Sequence, residues 1–175
     1  GSEDSRINIW HLNGTLENTI DKFGANNYWG HTGHICMLSV SDTGILFSGS
    51  RDSFIKLWFM SNFSIINALP GGANIRSIKP LSGNRFAYAI DYEISVLNFP
   101  SYNRLPHITI SGQNIQVIEY IAESETIIAG LDTGYINFYH AIAGSPIFYP
   151  LKDHTAAITD LKKIRNQSPI IKTIL

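Results

Sequence analysis

Leu46-Phe47-Ser48-Gly49-Ser50-Arg51-Asp52-Ser53-Phe54-Ile55-Lys56-Leu57-Trp58 joins two short apolar runs through a cluster of Gly, Ser and Asp. Alternating apolar residues of β-branched and aromatic type favour strands, and the small polar residues between them favour a turn. The stretch is repeated. It matches Arg85 to Leu97 without a gap at a shift of 39 residues, and Thr126 or Ile127 to Tyr139 gives the pattern again at a shift of 81. Upstream of each copy an isoleucine opens a further apolar run. Ile35, Ile75 and Ile115 stand 40 residues apart and Ile158 follows 43 later, so each is expected to begin the innermost strand of a structural unit.

The rest of the chain has the same texture, with Ile, Phe and Tyr interrupted every few residues by Gly, Asn, Asp, Ser or Pro. Helical periodicity is absent. Thr15 to Phe23 holds some helix formers but reads equally as an outer strand after a turn at Asn13-Gly14, which makes the chain all-β. With 175 residues, 44% of them hydrophobic and 15% charged, it can bury a core and form one domain. Thirteen Lys and Arg against fourteen Asp and Glu leave a net charge of −1, which creates no field for a phosphate backbone or an anionic membrane. Cys36 is the single cysteine, so no disulfide can staple the chain, which fits an intracellular compartment, cytoplasmic or nuclear. No apolar run is long enough to span a bilayer, the three Asn-X-Ser/Thr triplets carry no weight, and Gly1-Ser2 has the look of a tag-removal scar.

Gly30-His31, the run from Ile35, Ser48-Gly49-Ser50-Arg51-Asp52 and Ile55-Lys56-Leu57-Trp58 together resemble a complete WD repeat. Glu3 to Trp10 resembles the end of a preceding repeat, with Asp4 six residues before Trp10 as Asp52 is six before Trp58. Asp153-His154 to Leu161 resembles the opening of a further one. The resemblance covers nearly the whole chain and implies β-propeller blades of four-stranded antiparallel sheets: a blade end over 3–23, blades over about 31–70, 71–110 and 111–150, and a blade start over 151–175. It also implies a buried hydrogen-bonded chain of His31, Asp52, Ser48 and Trp58. The middle units depart from the pattern. In the ungapped alignment Ala87 and Leu97 replace the serine and tryptophan of the second repeat while Asp91 is kept. In the third, Ala129, Tyr139 and Thr133, beside Asp132, stand at the serine, tryptophan and aspartate places.

Three whole blades with half a blade at either end are fewer than the seven or so the family uses. Two arrangements supply the remainder: the chain is a segment of a longer seven- or eight-bladed ring, or two copies close into one ring. The segment reading is preferred, because Leu175 falls inside a strand-like run. The strands expected at the ends are Ile7 to Leu12 and Leu16 to Phe23, then Ile158 to Ile164 and Ile170 to Leu175.

Sharper chemistry has little support. Ser48, His31 and Asp52 are the residue types of a hydrolytic triad, but a nucleophile needs an exposed hydroxyl beside an oxyanion hole. His31, His34 and Cys36 lie within six residues, yet no fourth ligand is near and Cys36 is expected to point into strand packing, so no metal is expected. Gly71-Gly72 lacks the Gly-Lys-Ser/Thr of a phosphate loop, Lys162-Lys163-Ile164-Arg165 is a solvated basic cluster, and Glu17, Asp21, Glu119, Glu123 and Glu125 are scattered. No cofactor is expected. What remains is recognition of protein partners by loops at one face of the blades: Tyr28 and Trp29 in the Gly24 to Gly30 insertion, His34, Arg51, Arg76 and Tyr92. Trp29 reads equally as a residue folded over a blade edge. The expected function is thus a non-catalytic interaction scaffold; the alternative is a substrate-recruiting segment of a multidomain enzyme such as a ubiquitin ligase or a kinase.

Overall fold

The computed structural model describes residues 1–21, 30–72, 74–163 and 171–173. Two compact units, Gly1–Ile75 and Arg76–Leu175, are treated separately. The protein is all-β, built from four-stranded antiparallel sheets of the propeller-blade type.

In the first unit, β1 (Ile7–Trp10) pairs with β2 (Leu16–Ile20) as a two-stranded sheet. They are joined through a turn in which Gly14 has a φ of 85° and donates its N–H to the His11 carbonyl, so the segment after Asn13-Gly14 is strand and not helix. The expected strand ends at Leu12 and Phe23 are longer than those observed, and Phe23 lies outside the described residues. A four-stranded sheet follows in chain order: β3 (Ile35–Val40), β4 (Ile45–Ser50), β5 (Phe54–Phe59) and β6 (Ile65–Pro70). Its Leu46 and Trp58 pack on Ile7 and Ile20 of the two-stranded sheet. The two sheets also share a detail of register: the β1–β2 ladder shifts between Ile9 and Trp10, and the β5–β6 ladder shifts between Leu57 and Trp58.

The second unit holds most of β7 (Ile75–Leu81), with β8 (Arg85–Ile90), β9 (Glu93–Asn98) and the short β10 (Ile108–Thr109) as one sheet. The next comprises β11 (Ile115–Ile121), β12 (Thr126–Leu131), β13 (Tyr135–His140) and β14 (Leu151–Lys152), so its outermost strand lies just past residue 150. A single 3₁₀ turn, Ala122–Ser124, links β11 to β12. Ala87, Ala89, Ile94 and Val96 of one sheet meet Ile115, Ile118, Ile127, Ala129 and Tyr139 of the next in a continuous apolar core. A final pair, β15 (Leu161–Lys163) and β16 (Ile171–Thr173), is antiparallel with Leu161 opposite Thr173. Ile158, expected to open that first strand, lies three residues ahead of it, buried, with its N–H on the Leu131 carbonyl of the preceding sheet. Ile35 does the same to Ser2, and Ile115 to Asp91. A backbone hydrogen bond to an upstream carbonyl thus recurs at Ile35, Ile115 and Ile158.

The register corrects one equivalence. Across β4 and β5, Ser48 stands opposite Lys56; across β8 and β9, the residue opposite Ser95 is Tyr88. Tyr88, and not Ala87, therefore occupies the serine place of the second sheet. The cause is the turn: Ile90 pairs directly with Glu93 across Asp91-Tyr92, one residue fewer than the turn joining β4 to β5, with Asp91 at a φ of 43°. An ungapped alignment cannot register that deletion. Cys36 is a second correction, since it is exposed. On β3 the side chains of Ile35, Met37 and Ser39 are half-buried and those of Cys36, Leu38 and Val40 are exposed, an alternation of period two.

Candidate functional site

Four side chains of the first sheet converge. His31, just ahead of β3, places Nδ1 2.8 Å from Asp52 Oδ2 and Nε2 2.8 Å from Ser48 Oγ. Trp58, on β5 beside β4, donates its indole N–H to Ser48 Oγ at 2.9 Å. Asp52 accepts two further bonds, from the backbone N–H of Thr32 to Oδ2 (2.9 Å) and of Phe54 to Oδ1 (3.0 Å). Ionised Asp52 can only accept, so His31 Nδ1 carries the proton. Nε2 is then the acceptor, and the hydroxyl of Ser48 donates to it while receiving the indole. The bonds run in one direction, Trp58 to Ser48 to His31 to Asp52.

The electrostatics agree with that assignment. Burial pulls the His31 pKa below 6.5, outweighing the opposite pull of Asp52, so the imidazole is neutral. Burial alone would raise the Asp52 carboxyl, but the Thr32 N–H, His31 and the Phe54 N–H hold it below 3.8. Lys56, opposite Ser48 on β5, is also buried; desolvation lowers its pKa, and its Nζ donates to the Gly30 carbonyl at 2.7 Å. The sequence gives a faint signal for Lys56, since alternation along β5 puts it on the same row as Trp58.

The distances and the Asp–His–Ser order are those of a hydrolytic triad, and burial separates the two. His31 and Ser48 are almost wholly inaccessible, and the indole occupies the Ser48 oxygen from the other side. An acyl substrate has no approach to that oxygen.

The other sheets replace this set. Tyr88 fills the serine place of the second, stacked on Phe86, with Arg104 Nη2 donating to its hydroxyl at 3.1 Å. In the third, Ala129 and Tyr139 take the serine and tryptophan places, and Asn137 at the Lys56 place donates Nδ2 to the Tyr139 hydroxyl at 2.9 Å. The polar closure has moved outward: Asn114 gives its N–H and Nδ2 to the two oxygens of Asp132, and Thr133 donates to Gln113. Sequence inspection missed a further cluster, in which Arg85 chelates both oxygens of Glu125 through Nη2 at 2.9 and 2.8 Å while Ser82 bonds Tyr120 and Glu125. Lys79 and Glu119 pair nearby at 2.9 Å. Lys79 and Arg85 lie on β7 and β8, Glu119 and Tyr120 on β11, and Ser82 and Glu125 in the turns after β7 and before β12, so only the fold brings them together.

Of the expected partner-binding residues, His34 and Arg51 lie at one end of the first sheet, the Arg51 N–H bonded to the His34 carbonyl at 2.8 Å, with Arg51 exposed. Arg76, exposed at the start of β7, and Tyr92, exposed in the β8–β9 turn, share one end of the second sheet. Tyr28 and Trp29 lie outside the described residues. Among the described residues no group of three or more His, Cys, Asp and Glu could hold a metal ion, and no helix is long and apolar enough to cross a membrane.

No protein-family model matches the chain. It is similar to eukaryotic translation initiation factor 3 subunit I of Drosophila pseudoobscura pseudoobscura, 29% identical over 177 residues that take in 92% of this chain and 52% of the relative. The same subunit of Drosophila ananassae and of Drosophila mojavensis is 28% identical over the same shares. The chain thus spans about half the length of the curated relatives it matches, and its repeats and four-stranded sheets fit a WD-repeat propeller.

Proposed function

We propose that this chain is a non-catalytic scaffold that holds protein partners in a multi-subunit assembly of the translation-initiation type. The observation that carries the reading is the inaccessibility of the His31, Ser48 and Asp52 set: a triad sealed by Trp58 and backbone can brace a sheet but cannot meet a substrate. Similarity to a subunit of an initiation factor supplies the kind of assembly. The frame then serves the exposed sheet ends, where Arg51 and Tyr92 have the side-chain types that dominate interface energetics. His34 and Arg76 complete that proposed set among the described residues. In the proposed role the His31, Ser48, Asp52 and Trp58 chain is structural.

The test is quantitative co-purification of tagged full-length protein from its own cells. The reading predicts enrichment of initiation factor 3 subunits, reduced by Arg51→Glu and by Tyr92→Ala at unchanged thermal stability. Co-purification with none of those subunits contradicts it. So does hydrolysis of generic ester substrates by the purified chain that Ser48→Ala abolishes.

A further inference from the structure

Ser82 stands exposed in the turn between β7 and β8, followed by Gly83 and Asn84 at φ values of 67° and 55°. Its hydroxyl is saturated. It gives its one proton to Glu125 Oε1 at 2.7 Å, so it accepts from the Tyr120 phenol at 2.7 Å and from Arg85 Nη2 at 3.2 Å. Arg85 Nε also donates to the Ser82 carbonyl at 2.8 Å. All four residues lie in the second unit, and together they latch the turn after β7 to the turn before β12.

The latch has a spare donor. The Arg85 side chain is only 9% exposed, and among the described residues its buried Nη1 has no acceptor, although Nη2 holds both oxygens of Glu125. The guanidinium thus has capacity for a second acceptor beside Ser82. Glu125 stays ionised: burial raises its pKa, but the bonds from Ser82, Arg85 and Tyr120 hold it below 4.5. Negative charge added at Ser82 is therefore repelled by Glu125 and drawn to Arg85.

The flanking residues are basic. Lys79 lies three residues before Ser82 and Arg85 three after it. Ser41 and Ser124, in the matching turns of the first and third sheets, have Leu38 and Ile121 three before and Gly44 and Ile127 three after. Of the three turn serines only Ser82 has a cation on each side, a charge pattern by which a protein kinase with an acidic substrate groove selects its target.

We propose that Ser82 is a phosphorylation site for a protein kinase that reads basic side chains, and that the phosphoryl group takes Arg85 from Glu125. In the transfer the Oγ–H bond of Ser82 breaks and a bond forms from Oγ to the γ-phosphorus of a nucleoside triphosphate. The nucleoside diphosphate leaves, and the proton passes to the kinase. The product has no hydroxyl proton to give Glu125, and it carries about −1.5 to −2 charge at pH 7 on three acceptor oxygens. Arg85 Nη2 already stands 3.2 Å from Oγ, so the guanidinium can offer Nη2 and the unpartnered Nη1 to the phosphate as a bidentate pair. Glu125, 30% exposed, then turns to solvent, and the turn before β12 loses its tie to β8. A kinase takes its substrate extended, and an exposed turn of small polar residues opens at low cost. The site shares no residue with the proposed partner-binding set and stands independently of the scaffold reading.

The test incubates the purified chain with a nucleoside triphosphate and the catalytic domain of a kinase specific for a basic residue three places before its target. Tandem mass spectrometry should find the phosphate on Ser82, added severalfold more slowly in Lys79→Gln and not at all in Ser82→Ala. Phosphorus NMR then reports the neighbour. Against Arg85 the phosphate should titrate below its ordinary second pKa of about 6, and return to it in the neutral pair Arg85→Gln with Glu125→Gln, which strands no charge. Amide hydrogen exchange over residues 122–126 should quicken on phosphorylation of the wild type. An unmodified Ser82 overturns the proposal, as does a phosphate that titrates alike in both proteins or leaves exchange over residues 122–126 unchanged.

Discussion

At the scale of single residues, the buried set of the first sheet is a directed chain in which removing a middle link strands both neighbours. Ser48→Ala leaves the Trp58 indole N–H and His31 Nε2 without partners. A loss of about 1–3 kcal/mol in unfolding free energy is expected from denaturant titration. The double change Ser48→Ala with Trp58→Phe should recover part of it, because the indole donor goes too. Acid acts on the same atoms. His31 binds its proton less readily in the fold than in the unfolded chain, so its contribution is complete above pH 6.5 and is lost as pH falls below that value. Asp52, held below 3.8, adds a second loss at lower pH. Thermal melts from pH 8 to 5 should therefore show falling stability, and His31→Gln should flatten the upper part of that curve. His31, Ser48, Asp52 and Trp58 are identifiable in sequence because the first repeat holds every residue at the spacing that the WD-repeat resemblance implies. Lys56 is not, because a lysine on an alternating strand looks like any solvated charge until the backbone carbonyl of Gly30 is seen beside it.

At the scale of strands and turns, the 40-residue period places β3, β7 and β11 to the residue, since Ile35, Ile75 and Ile115 open them. Hydrophobic periodicity is a local property and survives divergence. Turn length does not: one missing residue in the β8–β9 turn shifts Tyr88 into the place that alignment gives to Ala87, and only paired strands reveal it. Outer strands are the least legible, because β10 and β14 are each two residues long with little pattern to carry. The joins between sheets are sensitive points. Gly134, at a φ of 84°, has the His154 carbonyl where a Cβ would stand. Gly134→Ala should destabilise by at least about 2 kcal/mol, measured by chemical denaturation. Glu125→Ala deprives the nearly buried Arg85 guanidinium of both its carboxylate bonds, and the expected loss is about 1–3 kcal/mol, reduced by the partial exposure of Glu125. Glu125→Gln, which keeps one acceptor, should lose less.

At the scale of the whole molecule, a chain of near-neutral charge buries His31 and Ser48 within one four-stranded sheet and leaves Arg51 and Tyr92 exposed at the ends of two. Fold class follows from the repeat alone, whereas a partner's identity lies in the chemistry of surfaces, where no periodicity constrains the residues. Stability and binding should therefore separate cleanly, with changes in the buried set acting on the first and changes at the sheet ends on the second. The direct test is a calorimetric titration of a purified initiation factor 3 partner subunit into wild type, Ser48→Ala and the double variant Arg51→Glu with Tyr92→Ala, below the melting temperature of each. The account predicts that Ser48→Ala melts lower yet binds with an unchanged dissociation constant, and that the sheet-end variant melts as wild type but binds at least about tenfold more weakly. Weakened binding by folded Ser48→Ala, with full affinity in the sheet-end variant, would contradict it.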